Sequence, residues 1–358
     1  MSGLSPEPRA NATMVGQAAA ERAFLDAWGS GRLAHAWLLT GPRGIGKATM
    51  AYRIARFVLS GGGGGGGLFG GPPDSLAVAN DHPIFQRVAS GGHADLKIIE
   101  KGVNDEGKPR MEIPVDAIRE LGSFMNLTPA EGGWRLAVVD AADEMNRSSA
   151  NAILKILEEP PARALLLLVC HAPGRLLPTI RSRCRRLALK PLAEKTVADL
   201  LAQYRPDLPA DEAAALARLA EGSIGRALAL AEEGGLDLYR EMVQLLISMP
   251  QIDVQSLQAF GDRLARTDGA ERFRTLAELM GGWLARMIAQ AGRGGAFSEV
   301  VAGEGELMRR LTAARGLDRW VELWEKSTAL FARAEAVHLD RKQVILNAFL
   351  AAERLLAA

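Results

Sequence analysis

The sequence is short of several things, and each shortage removes a class of function. Cysteine occurs only at Cys170 and Cys184 in 358 residues. Two such residues make neither a disulfide framework nor a thiolate metal cluster. Aromatic residues make up 5 % of the chain, too few for a platform on which single-stranded bases would stack. Net charge is +1, from 43 Lys and Arg against 42 Asp and Glu. No global field therefore draws the chain to nucleic acid, and any such contact rests on local patches. No uninterrupted apolar run is long enough to span a bilayer. The opening MSGLSPEPRANATM lacks the charged-then-apolar order of a secretion signal. The expectation is a cytoplasmic protein with no membrane partner.

What is present is a folded-protein composition, 48 % apolar and 24 % charged, on a chain long enough for two or three domains. The first half alternates short apolar runs with helical spacing. AWLLT (Ala36 to Thr40) ends at a glycine-rich turn, and KATMAYRIARFVL (Lys47 to Leu59) puts Met50, Ile54, Phe57 and Val58 on one side of a helix. SGGGGGGGLFGGPPDS then interrupts with no packable pattern. DLKIIE, the helix-like IPVDAIRELGSFMNL, and WRLAVVDAADEMN with a strand ending at Asp140 follow. SSANAILKILEEPP is a helix stopped by Pro160 and Pro161, and ALLLLVC (Ala164 to Cys170) has the apolar texture of a central parallel strand. Strands separated by helices predict an α/β domain with a parallel sheet covered on both faces. Beyond Pro191 only Ala/Leu-rich and longer amphipathic helices are legible. The expected division is 1–190, with a glycine-rich insert at about 60–94, then 191–235 and 236–358.

Three stretches carry chemistry. Gly41, Gly44, Gly46 and Lys47 form a G-x-x-x-x-G-K phosphate loop, whose glycines let backbone N–H groups face phosphate oxygens at a helix start. The residue after the lysine should be Ser or Thr, to hold Mg²⁺. Here it is Ala48, and Thr49 comes one step late, where the helix has turned by about 100°. Asp140 ends a strand as a metal-linked carboxylate should, but Ala141 stands where a water-activating acid is needed. Asp143 and Glu144 come later, where acids commonly serve helix starts. Ser182-Arg183-Cys184 closes a short helix; Arg183 has the charge and planar fork to reach a phosphate, but spacing alone does not separate it from Arg181, Arg185 or Arg186. A tight turn kept for folding remains an alternative reading of the loop.

HAWLLTGPRGIGKATMAYRIA, VVDAADEMNRSSANAILKILEEPP and RLLPTIRSRC together resemble the subunits of the bacterial DNA polymerase III clamp loader, most tightly over 35–60 and 134–190. The resemblance implies a P-loop AAA+ domain with a parallel sheet, a small helical lid and an all-α collar through which five subunits join. It implies, further, a stator rather than a motor. Such a subunit offers Arg183 in trans to a neighbour's ATP site and partners the motor subunits (gamma/tau), the delta subunit, the sliding clamp and, through the complex, primed DNA. Gly41, Gly44, Gly46, Lys47, Ala48, Thr49 and Asp140 would form its own pocket for ATP or ADP, with Mg²⁺ disfavoured by Ala48. Relatives often carry a four-cysteine zinc module after the loop helix; no cysteine lies between Ala48 and Val169, so no zinc is expected. The lid arginine of motor subunits is displaced by one, in Gly222-Ser223-Ile224-Gly225-Arg226. The rival readings are an ATP-hydrolysing motor subunit and a standalone AAA+ remodeller.

Overall fold

Five segments pair in parallel as one sheet: β1 (Ala36–Thr40), β2 (Leu96–Ile99), β3 (Arg135–Asp140), β4 (Ala164–Cys170) and β5 (Arg185–Ala188). Their order across the sheet is β2-β3-β4-β1-β5. Every residue of β4 is buried, because neighbours flank it and helices cover both of its faces. Alternation sorts the side chains. Trp37, Leu39, Leu165, Leu167 and Val169 face a layer that holds α1 (Ala18–Gly29) and α2 (Lys47–Leu59). Leu38, Leu166, Leu168 and Cys170 face α4 (Val115–Met125), α5 (Arg147–Glu158) and α6 (Pro178–Arg183).

The computed structural model describes residues 7–62, 73–104, 107–108, 110–266, 269–295, 297–337 and 339–357. The chain divides into two units, Met1–Arg205 with Gly222–Gly225, and Pro206–Glu221 with Arg226–Ala358. Residues 63–72, the heart of the glycine-rich insert, lie outside the described residues. The later part of the stretch 60–94 carries an element that sequence reading did not mark, α3 (Pro83–Ala89), capped by His82 Nδ1 accepting from the Ile84 N–H at 3.2 Å. Ile84 and Val88 of α3 pack with Tyr52 of α2. Two buried arginines of α2 tie the N-terminal segment down. Arg56 donates to the carbonyls of Arg9 (2.9 Å) and Asn11 (2.6 Å), and Arg53 to that of Ala12 (2.6 Å) while pairing with Glu21 at 3.1 Å.

The first unit ends with α7 (Glu194–Tyr204). In the second the described elements are all helical: α8 (Ala210–Leu219), α9 (Ile224–Glu232, whose first two residues count with the first unit), α10 (Gly235–Ile247), α11 (Val254–Ala265), α12 (Ala270–Gly292), α13 (Glu304–Ala314), α14 (Leu317–Ala336) and α15 (Arg341–Ala357). Its core holds Trp283 and Trp320, and a buried trio of Tyr239, Arg286 and Glu304 joins α10, α12 and α13. No helix of the described residues is long and apolar enough to cross a membrane.

Candidate functional site

The sheet's register sets the site. Thr40 lies across from Cys170, and Asp140 across from Val169, so β1, β3 and β4 end together. In parallel sheets ligands bind at such carboxyl ends. From Thr40 the chain passes directly into the loop 41–47. A Cβ at Gly41 would lie 2.6 Å from Ile45 Cδ1 and 2.7 Å from the Leu189 carbonyl oxygen, so a side chain has no room there. Gly44 and Gly46 take φ of 77° and 95°, left-handed values that favour glycine. Gly46 caps α2 with no side-chain bond to its leading N–H groups, as suits a helix start that receives an anion.

Lys47, 3 % exposed, donates from Nζ to the carbonyls of Gly41 (2.7 Å) and Pro42. Burial pulls its ammonium down to about 8, against the charges of Asp140 and Asp143. Ala48 turns to the small apolar cluster of Tyr52, Ile84 and Val88, and Thr49 is buried. The loop's glycines and the uncapped start of α2 therefore fit a phosphate group, whereas position 48 offers nothing to a metal ion. Among the described residues no group of three or more His, Cys, Asp or Glu is placed to hold a metal.

The acids at the end of β3 and just past it separate by environment. Burial, with Glu100 nearby, pushes Asp140 up to about 6, and Lys47 opposes the shift. Asp143 sits in a 3₁₀ turn (Ala142–Glu144) and accepts the backbone N–H groups of His171 and Ala172, both at 2.9 Å. These two bonds hold its carboxyl below the ordinary 3.8 despite burial. Glu144 bridges Arg43 of the loop at 2.5 Å and Lys101 at 3.0 Å. Asp140, Glu144, Arg43, Lys101, Arg110 and His171 line a cleft of about 380 Å³. Burial, then Lys47 and Arg43, pull His171 down to about 4, so it stands neutral at the strand end. Sequence reading placed Asp143 and Glu144 past the strand but did not pair either; Arg43, a loop residue of unspecified type, gave no signal.

A second segment lies on the loop. Ser223 Oγ donates to the Arg43 carbonyl at 2.9 Å and the Gly225 N–H to the Gly44 carbonyl at 3.0 Å. A Cβ on Gly225 would come 2.9 Å from Gly44 Cα, so glycine permits this approach. The Gly222-Ser223-Ile224-Gly225 pattern was the available signal for that contact. Arg226 belongs to the second unit, where it pairs with Glu221 at 3.9 Å.

The arginines that sequence could not rank differ sharply in place. Arg185 stacks its guanidinium 4.8 Å from the Trp37 ring centroid, and Arg186 donates to Thr40 Oγ1 at 3.0 Å. Arg183 closes α6 on the surface, paired with Glu158 at 2.9 Å and donating to the Thr179 carbonyl at 3.0 Å. β5 runs parallel to β1 with Arg185 across from Trp37 and Ala188 across from Thr40. Arg183, two residues before β5, thus lies toward the opposite end of the sheet from the loop. The structure gathers Gly41, Gly44, Gly46, Lys47 and Asp140 at one end and leaves Arg183 at the other.

A parallel sheet ordered β5-β1-β4-β3-β2, with the phosphate loop between β1 and α2, defines a P-loop protein of the AAA+ class. The family model described as DNA polymerase III, delta subunit, matches residues 16–193. DNA polymerase III subunit delta' of Pseudomonas aeruginosa is 36 % identical over 195 residues, 54 % of this chain and 55 % of that one. The Escherichia coli subunit delta' is 33 % identical over 232 residues, 64 % of each chain. Subunit gamma/tau of Mycobacterium tuberculosis is 27 % identical over 282 residues, 77 % of this chain and 46 % of that one. The alignments thus span about half to two thirds of these relatives. Over residues 16–193 the chain belongs to the DNA polymerase III delta-subunit family, and it is similar to the clamp-loader subunits delta' of Pseudomonas aeruginosa and Escherichia coli.

Proposed function

We propose that this chain is the delta-prime stator of a pentameric clamp loader, which places a sliding clamp on primed DNA in the cytoplasm. Its first 190 residues serve as the AAA+ domain, 191–235 as the lid and 236–358 as the collar that meets the gamma/tau and delta subunits. Arg183 acts on the ATP of a neighbouring motor subunit. The observation that carries this reading is the position of Arg183, exposed at the far end of the sheet from its own phosphate loop. From there the guanidinium cannot serve the nucleotide of its own chain, and a role at phosphate needs another subunit's site. The chain's own pocket, formed by Gly41, Gly44, Gly46, Lys47, Ala48, Thr49 and Asp140, would take the phosphates of ATP or ADP on backbone N–H groups without a metal ligand at Ala48.

Similarity to gamma/tau over 77 % of the chain supports a second reading, an ATP-hydrolysing motor. Ala48 and Ala141 weigh against it. The test is ATP turnover by the reconstituted loader with clamp and primed DNA, comparing wild type with Arg183→Ala beside the isolated subunit. The stator reading expects a silent isolated subunit and a loss of about 10³-fold or more at the neighbouring site. Turnover by the isolated chain together with an unaffected Arg183→Ala complex would establish the motor instead.

A further inference from the structure

We propose that Glu158, in the L-E-E-P-P stretch, is the positioning residue of Arg183 in the S-R-C stretch. The inference rests on the reading of Arg183 as acting in trans. Glu158 is the last residue of α5, where a negative charge meets the negative end of the helix dipole. Helix physics alone therefore disfavours an acid there. Its carboxylate offsets that by holding Arg183, the last residue of α6, with 2.9 Å between Nη2 and Oε1.

The geometry suits aiming rather than stability. Arg183 Nη1 donates to the Thr179 carbonyl at 3.0 Å while Nη2 meets Glu158, so two acceptors on two elements fix the plane of the guanidinium. A guanidinium carries five N–H donors, and those not engaged remain for a phosphate of another chain. The side chains are 36 % and 50 % exposed, which leaves the pair a minor contributor to folding. The backbones beneath are rigid: Ile153, Ile156 and Leu157 of α5 share one apolar layer with Ile180 of α6. A long cation is thereby held on a packed frame before a partner arrives, as preorganised sites require.

The test is steady-state ATP turnover by the reconstituted loader with clamp and primed DNA. Wild type, Glu158→Ala, Glu158→Gln, Arg183→Ala and the double Glu158→Ala/Arg183→Ala are compared after gel filtration establishes equal assembly. Positioning expects Glu158→Ala to lower kcat about two- to fivefold, in the range of an exposed ion pair, with KM little changed. Glu158→Gln, which keeps an acceptor oxygen, recovers most of the loss. In the Arg183→Ala background Glu158→Ala adds nothing, because the residue it orients is gone. A Glu158→Ala loss that persists without Arg183, no loss at all, a failure of Gln to recover it, or a turnover above wild type would each overturn the proposal while leaving the Arg183 effect standing. An Arg183→Ala complex as active as wild type would instead sink the reading on which it rests.

Discussion

Asp143 accepts the backbone N–H of His171 at 2.9 Å, and its second oxygen takes the N–H of Ala172 at the same distance. The turn after β3 is thereby strapped across the end of β4. Both carboxylate oxygens are engaged, which makes this acid a tie between strand ends instead of a base for water. Asp143→Ala leaves two amides without acceptors, and the expected cost is about 1–3 kcal/mol. The group's proton affinity is lowered by folding, so its stabilisation is present above the ordinary 3.8 and is lost as pH falls through the lower folded value. Urea denaturation of both proteins from pH 7 to pH 3 checks this, and the gap between them should narrow in acid.

Asp140 responds in the opposite sense. Burial, supported by Glu100, raises it from 3.8 to about 6 in the fold. Between those values the unfolded chain releases the proton while the folded chain keeps it, so stability falls as pH rises through that window and stays level above it. Asp140→Asn removes the penalty. At pH 7.5 the variant should be more stable by about 1–2 kcal/mol, after allowance for water in the cleft, and the gain should vanish by pH 4. A variant less stable than wild type at pH 7.5 would show that the carboxylate's attraction to Lys47 outweighs its burial.

The strands and the loop were legible because their signals are local. AWLLT, ALLLLVC and the helix from Lys47 to Leu59 carry their own periodicity, and burial on both faces of β4 leaves an unmistakable apolar run. α3 was hidden because seven residues beside a glycine tract offer too little pattern, and its anchor, Tyr52, is remote in sequence. The candidate site was legible in its glycines, which the loop's backbone demands at Gly44 and Gly46, and in the Lys47 that follows them. Its electrostatics were not. The Glu144 bridge to Arg43 spans 101 residues and the Ser223 bond to the Arg43 carbonyl spans 180. Such partners are set by strand order and chain return, which no short window contains.

Metal dependence discriminates between a complete and an incomplete phosphate loop. A loop with Ser or Thr after its lysine binds nucleotide better with Mg²⁺, because the hydroxyl ligates the ion. Ala48 faces the cluster of Tyr52, Ile84 and Val88 and has no ligand atom. Any rise in Tm produced by ADP or ATP should therefore be the same in Mg²⁺ and in EDTA. Lys47→Ala should abolish that rise, since it removes the cation next to the loop carbonyls of Gly41 and Pro42. A nucleotide shift that collapses on chelation would mean that another residue supplies the metal ligand.

The buried trio of the second unit is the place where one substitution should cost most. Glu304 is fully buried and accepts from Arg286 at 2.6 Å and from the Tyr239 hydroxyl through Oε1, while Oε2 takes the N–H groups of Val300 (2.8 Å) and Val301 (3.2 Å). Burial, with Glu304 beside it, pushes the Tyr239 phenol far above its ordinary range, so the hydroxyl stays a donor. Glu304→Ala strands a buried cation and two amides at once, and the expected loss is about 3–5 kcal/mol. Glu304→Gln keeps acceptor geometry but not charge and should lose less. Replacing the trio together (Tyr239→Phe, Arg286→Met, Glu304→Leu) should recover part of the loss, because apolar packing often matches a buried pair. Recovery stays incomplete, since the Val300 and Val301 amides still lack their acceptor. A two-unit chain need not unfold in one step, so peptide-resolved hydrogen exchange is the suitable measurement. Exchange across α10, α12 and α13 should accelerate about a hundredfold or more in Glu304→Ala. Acceleration confined to Val300 and Val301 would reduce Glu304 to a loop tether and shift the unit's stability to the packing around Trp283 and Trp320.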